Sequence, residues 1–461
     1  MQDIKDVILA EVPEPARDCA QEPVALTDAT MRERKAKVLA AMREKGLDSL
    51  VVYADMEHGG NFEYLVGYLP RFEEALLVAH STGELFLLLG NETLNKGDKA
   101  RLAATSIHTP FFSLANQPMA GERPLADVLR DAGLAGKRCG VAGWKLFTSA
   151  TADDSRLFDI PAYTLDALFE VCGKENVTNA TDVFIGPHGV RRTCNANELA
   201  HYEFGASLAS DAVLDAMDAL EPGVTEVAVA DGMQRLGQHP TVITIATFGP
   251  RFVNANLYPT ANALKLGQSV SLTIGYKGGT SSRAGYGVRG PEELDASLRG
   301  YVDELAIPYF HAITAMLSEV HVGMTGGELY ELVEGIFPKS EFGWKLNPSH
   351  LTADEEWLCS PIYPGSSEEL ESGMMIQTDL IPSVAPYAGV SMESTYALAD
   401  ERLQAEMASR YPAMWERFQQ RRRYIQDVQH VALSHEVMPL ASTLAYIRPY
   451  LLSRAALCYK G

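Results

Sequence analysis

Between Gly373 and Leu398 the chain reads GMMIQTDLIPSVAPYAGVSMESTYAL, two β-patterned runs separated by a Pro/Gly-rich turn. The first, Met374 to Ile381, is nearly all apolar; the second, Val390 to Leu398, alternates apolar with small or polar residues. Each run carries one carboxylate, Asp379 and Glu393. A carboxylate on a core strand is costly unless it is paired, hydrogen-bonded or bound to a cation. Two of them on neighbouring strands constrain the chain to build a site there.

A second regularity surrounds this pair. Leu220-Glu221-Pro222-Gly223-Val224-Thr225 closes one helix and opens another, and Val320-His321-Val322-Gly323-Met324-Thr325 does so 100 residues later. Gly267-Gln268-Ser269-Val270 and Gly373-Met374-Met375-Ile376 each introduce a strand pair, 106 residues apart. The chain thus carries two αβ halves, with Asp379 and Glu393 in the second.

These features resemble the pita-bread family of creatinase, prolidase, Xaa-Pro aminopeptidase and methionine aminopeptidase. The resemblance rests on Gly373-Met374, an acid six residues after Gly373, and Gly389-Val390-x-Met392-Glu393. Lys45-Gly46-Leu47-Asp48 and Asn61-x-x-Tyr64-Leu65-x-Gly67 resemble the N-terminal domain of the creatinase, prolidase and aminopeptidase branch. Arg191-Arg192-Thr193 is similar to its entry into the second domain. The implied fold is an α/β N-terminal domain followed by a pita-bread α+β domain. Expected boundaries are an extension over 1–27, the α/β domain over 28–187, the pita-bread domain over 188–400, and a helix and tail over 401–461 that complete that domain or form an interface. Local patterns predict a helix over Met31 to Gly46, a loop from Gly59 towards the strand pair around Ser81-Thr82-Gly83, and one helix from Met407 to about Val431.

In the family's metallopeptidases the two acids of the second half and an upstream His are metal ligands, which implies His350, Asp379 and Glu393 here. The first half should supply two further acids. The sixth residue after Gly267 is Thr273, and eleven further on stands Ala284, with Ser281, Ser282 and Arg283 as neighbours. No acid occurs from Gln268 to Gly290. Asn256 and Trp357 occupy the positions where the family has histidines. Of seven expected polar positions, His350, Asp379 and Glu393 remain. A dinuclear clamp needs bridging carboxylates from both sides, so no cofactor is expected, with a single divalent metal on those three as the alternative.

The sequence reading therefore takes His350 as acid/base, with Asp379 and Glu393 orienting water or a cationic substrate group. Arg283 would hold a substrate carboxylate, and Asn256, Trp357 and Thr273 would line the binding site. This describes a metal-independent hydrolase of a C–N bond in a small amide, amidine or peptide-like molecule. The alternatives are a non-catalytic homologue binding a ligand or partner, and a single-metal Xaa-Pro-type peptidase. Plainer readings are that His350 is a structural hydrogen-bonder and that Asp379 and Glu393 are salt-bridged to Arg283 or Arg251. Asp354-Glu355-Glu356 reads as a solvated loop, with reach to the substrate as the alternative.

A net charge of 39 − 60 = −21 argues against nucleic acid or an anionic membrane as partner. Six scattered cysteines without a CxxC pair suit a reducing compartment. An acidic N-terminus without an apolar core segment does not read as a secretory signal. The expectation is a cytoplasmic protein acting on a small molecule or short peptide, a homodimer by the resemblance.

Overall fold

The computed structural model describes residues 2–254 and 258–461, so Asn256 lies outside the described residues. The chain divides into two units, Leu26–Arg192, and Met1–Ala25 together with Thr193–Gly461. The first strand, β1 (Val7–Glu11), therefore belongs to the second unit.

The smaller unit runs α1 (Asp28–Glu44), β2 (Ser49–Ala54), α2 (Gly60–Val66), β3 (Ala75–His80), β4 (Leu85–Leu89), β5 (Thr105–His108), α3 (Leu125–Asp131), β6 (Cys139–Ala142), α4 (Ala162–Cys172) and β7 (Val177–Asn179). Thr27 caps α1 by accepting from the Thr30 amide. The sheet order is β5-β4-β3-β2-β6-β7, antiparallel within β2-β3-β4 and parallel outside it. β2 and β3 are buried throughout, and α3 and α4 cover one face with Leu129 and Leu168. The segment from Gly59, read as a loop, is α2: the paired glycines at its start mask six buried residues of a short helix.

The larger unit continues with α5 (Ala196–Asp218), α6 (Glu226–Asp231), β8 (Ile245–Phe248), β9 (Ser269–Tyr276) and β10 (Gly279–Tyr286). Its second half holds α7 (Ile307–Glu319), α8 (Gly326–Ile336), α9 (Lys339–Phe342), β11 (Ser349–Leu351), β12 (Met375–Thr378) and β13 (Ser391–Leu398). Then come α10 (Glu401–Arg410), α11 (Pro412–Arg423), β14 (Val437–Pro439) and β15 (Ala455–Tyr459). The halves repeat in space as in sequence: Thr225 caps α6 and bridges Ala263, while Thr325 caps α8 and bridges Glu369. Those pairs keep the 100- and 106-residue offsets.

One sheet joins the halves in the order β11-β12-β13-β10-β9-β8, with β14 on β13. Along β9, Val270, Leu272 and Ile274 enter a core with Phe204 and Leu208 of α5. Period-two alternation sends Ser271 and Thr273 to the other face. That apolar burial is about 25 cal/mol per Å² and fixes the register, because a one-residue slip would exchange the faces. The 401–461 region contains two helices where one was expected, because Pro412 starts a new one after Tyr411. Its β15 pairs with β1, so the N-terminal arm and the tail close on each other.

Candidate functional site

Strand parity selects the residues of the site. Ser282 of β10 stands opposite both Thr273 of β9 and Glu393 of β13. Gln377 of β12 stands opposite His350 of β11 and Thr395 of β13. Directly opposed residues share a sheet face, so Thr273, Ser282, Glu393, Gln377 and His350 lie on one face.

His350 is fully buried. Its Nδ1–H donates to the Leu351 carbonyl at 3.2 Å, which leaves the Nε2 lone pair on the site side of the neutral ring. Nε2 lies 3.2 Å from Glu356 Oε1 and 3.8 Å from Asp379 Oδ2. It is buried, and no hydrogen bond satisfies it. Trp357 stacks on the imidazole with centroids 4.1 Å apart and planes at 19°. Trp357 itself is 40% exposed, so one indole face covers the His while the other meets solvent.

Glu356 is the residue the sequence reading missed. It comes from a turn that leaves β11 and returns at the Leu351–Cys359 bridge, and its side chain is 22% exposed. Long-range contacts fix this turn: the Gly278 amide donates to the Ala353 carbonyl at 2.7 Å, and the Tyr202 hydroxyl to Asp354 Oδ2 at 3.0 Å. The approach of α5 to the β9–β10 turn requires glycine. Gly278 has φ +105°, and a Cβ there would lie 2.1 Å from the Tyr202 carbonyl oxygen. The acidic run read as a solvated loop thus sends its third member into the site.

The electrostatics follow from three carboxylates facing one imidazole in a nearly closed space. Burial, then Asp379 and Glu356, push Glu393 well above the usual carboxylate range, and Gln377 donates to it in partial opposition. Burial raises Asp379 to about 6 despite the charge of His350. Glu356 goes the other way: burial would raise it, but the nearby imidazole of His350 holds it low. His350 is held above its ordinary value because Glu356 and Asp379 outweigh burial. Carboxylate oxygens of Glu356 and Glu393 lie within 4.8 Å of each other, an arrangement in which one proton can serve two acids. Among the described residues no Lys or Arg forms an ion pair with Glu356, Asp379 or Glu393.

Arg283 is a correction. It is one residue out of phase with Ser282 and lies on the opposite sheet face. Its guanidinium donates to the main-chain carbonyls of Ser282, Glu393, Tyr446 and Thr443, and to Ser394 Oγ. Every direction of the fork is committed to structure, so Arg283 neither holds a substrate carboxylate nor salt-bridges Asp379 or Glu393. Arg251 is likewise engaged, by Glu226 at 2.9 Å.

Where the resemblance places acids in the first half, the sheet presents hydroxyls. Thr273 Oγ1 donates to Ser282 Oγ at 2.8 Å, and Ser391 Oγ donates to the same oxygen at 3.1 Å. The residue facing both Thr273 and Glu393 is Ser282, two positions before Ala284, which pairs with Ser391.

The donor set fits one divalent cation. Nε2 of His350 and carboxylate oxygens of Glu356 and Glu393 all lie within 4.8 Å of one another. Ligands at about 2.0–2.2 Å from a tetrahedral ion stand roughly 3.3–3.6 Å apart, close to the 3.2 Å observed between His350 and Glu356. An unsatisfied, buried imidazole nitrogen is the feature such an ion would use.

No family model and no curated protein sequence matches this chain; solved structures do. A prolidase from Pyrococcus horikoshii superposes with a TM-score of 0.62 at 16% identity, covering 80% of this chain and 95% of that one. An Xaa-Pro dipeptidase from Bacillus anthracis gives 0.60 at 15% identity, covering 81% and 96%. An aminopeptidase from Pseudomonas aeruginosa gives 0.58 at 15%, covering 82% and 93%. Among the described residues no helix is long and apolar enough to cross a membrane. This chain has the pita-bread fold of the Xaa-Pro peptidases, with an α/β domain preceding it.

Proposed function

We propose that this chain is a hydrolase akin to the Xaa-Pro peptidases, cleaving a C–N bond in a small amide or peptide-like substrate at a site that holds one divalent cation. The observation that carries this reading is the buried Nε2 of His350 facing three carboxylates that, among the described residues, no Lys or Arg pairs with. Such a cluster persists when function requires a positive charge within it. A divalent ion supplies polarisation of the scissile carbonyl and a more acidic water. The chain's own residues do the rest. Asp379, near neutrality at about 6, is suited to take a proton from water and return it to the leaving nitrogen. Gln377, anchored by donating to the Thr280 carbonyl at 2.7 Å, orients Glu393. Trp357 fixes the plane of His350 and offers its outer face to an apolar part of the substrate. The Thr273–Ser282 hydroxyls replace acidic lining with neutral donors and acceptors.

A metal-free variant of the same hydrolysis is favoured by one observation, the raised basicity of His350 between Glu356 and Asp379, which suits the imidazole to act as acid/base. Hydrolysis of a panel of N-substituted amides, ureides and Xaa-Pro dipeptides, with and without chelator, tests both. Chelator-sensitive turnover supports the first reading and chelator-resistant turnover the second. Saturable binding with no turnover of any member would instead support a binding protein.

A further inference from the structure

We infer that Glu356, from the turn after β11, is a cation ligand together with His350 and Glu393, and that Asp379 stands outside the ligand set. The inference rests on the single-cation reading above and changes which residues make it. The resemblance assigned Asp379 and Glu393 as the carboxylate ligands. The geometry points to Glu356 and Glu393: their oxygens and His350 Nε2 lie within 4.8 Å of one another, and Asp379, although 3.8 Å from Nε2, does not complete a mutually close set with both glutamates. His350 Nε2 is the independent sign of a ligand, being fully buried, unsatisfied, and fixed in tautomer by the Nδ1–Leu351 bond.

This set takes one carboxylate from a turn. The first half presents hydroxyls at Thr273 and Ser282, and a carboxylate arrives from the side through Glu356. The turn that delivers it is braced at Ala353 by Gly278, at Asp354 by Tyr202, and within itself by Thr352 Oγ1 donating to the Glu355 carbonyl at 3.0 Å. Trp357, the next residue, is stacked on His350. Two consecutive residues of one turn therefore grip a single imidazole, one beside its ring nitrogen and one across its face. A ligand set drawn from β11, its turn and β13 encloses one ion, and on the first-half side the neighbours described are the hydroxyls of Thr273 and Ser282.

The test is titration of the chelator-treated full-length protein with Co²⁺, followed by visible absorption and calorimetry. One equivalent is expected. Glu356→Gln should weaken Co²⁺ binding by on the order of 100-fold or more, above the 10–100-fold typical of outer-shell partners, and change the absorption spectrum. Glu356→Asp should retain weakened binding, and Asp379→Asn should weaken it by less than about tenfold. Glu355→Gln, which alters the same turn's charge, should leave binding unchanged. Thermal melts without metal report folding of each variant, and Glu356→Asp carries the test if Glu356→Gln does not fold. Wild-type affinity in Glu356→Gln, loss of binding in Asp379→Asn alone, or two equivalents in the wild type would each overturn the assignment. Glu356-dependent binding without hydrolysis keeps the ligand assignment and removes the hydrolase reading; hydrolysis unaffected by Glu356→Gln does the reverse.

Discussion

Arg283 and Glu393 meet through the backbone of the sheet: Arg283 Nη1 donates to the Glu393 main-chain carbonyl at 3.0 Å, while the Glu393 carboxylate faces the opposite side. The guanidinium thus stands behind the acidic cluster and braces β10 to β13 and to the 443–446 segment. Burial lowers it to about 10, so it stays charged at neutral pH.

Arg283→Leu should therefore act on stability before chemistry. It strands several buried carbonyls, each costing about 1–3 kcal/mol when unsatisfied. A loss of about 3 kcal/mol or more is expected in urea unfolding of the larger unit. A variant of full stability with lost substrate affinity would return Arg283 to the substrate side.

The acidic cluster makes the metal-free protein pH-sensitive. Asp379 near 6 and Glu393 above the carboxylate range bind more protons folded than unfolded, so their contribution falls as pH rises through that window. His350, raised, contributes stability that is complete below its unfolded value near 6.5 and is lost above its folded one. All three signs agree, and the depressed Glu356 acts only at lower pH. Melting temperature without metal should decline between about pH 5 and 8, and saturating Mn²⁺ should remove the decline. A metal-free melting temperature that rises over that range would contradict this electrostatic picture.

Removing one of the crowded acids should stabilise the empty site. Asp379→Asn is expected to raise the metal-free melting temperature at pH 7.5 by several degrees, with about 1–2 kcal/mol gained, while lowering kcat at least 100-fold. Differential scanning calorimetry and steady-state kinetics read the two effects separately.

Thr273→Asp with Ser282→Asp should restore what the first half lacks. Ser282 stands opposite Glu393 and Thr273 stands opposite Ser282 on the same sheet face, so the double variant is expected to take up a second Mn²⁺ and to be less stable than wild type without metal. Uptake unchanged at one equivalent would mean that more than these carboxylates has been lost.

Much of this was readable from sequence, and the failures have physical causes. Glycine punctuation and the 100- and 106-residue offsets disclosed the two halves because the fold needs the same turns twice. Asp379 and Glu393 were legible as carboxylates in apolar β-patterned runs, whereas His350 was pointed to by the resemblance. Arg283 was misplaced because its sheet face depends on register with Glu393, which neither strand specifies alone. Glu356 was hidden because its direction is set by Gly278 and Tyr202, some 80 and 150 residues away in sequence, and a run of three acids gives no sign of which one turns inward. Trp357 was assigned to the binding site as a substituted position, but its stacking on His350 belongs to the same turn.

The account depends most on the cluster of one imidazole and three carboxylates being a seat for a single positive ion. Elemental analysis of protein purified without chelator, repeated after equilibrium dialysis against Mn²⁺, measures this directly. One tightly held divalent ion per chain is the predicted result. No ion held after dialysis, or two, would contradict it.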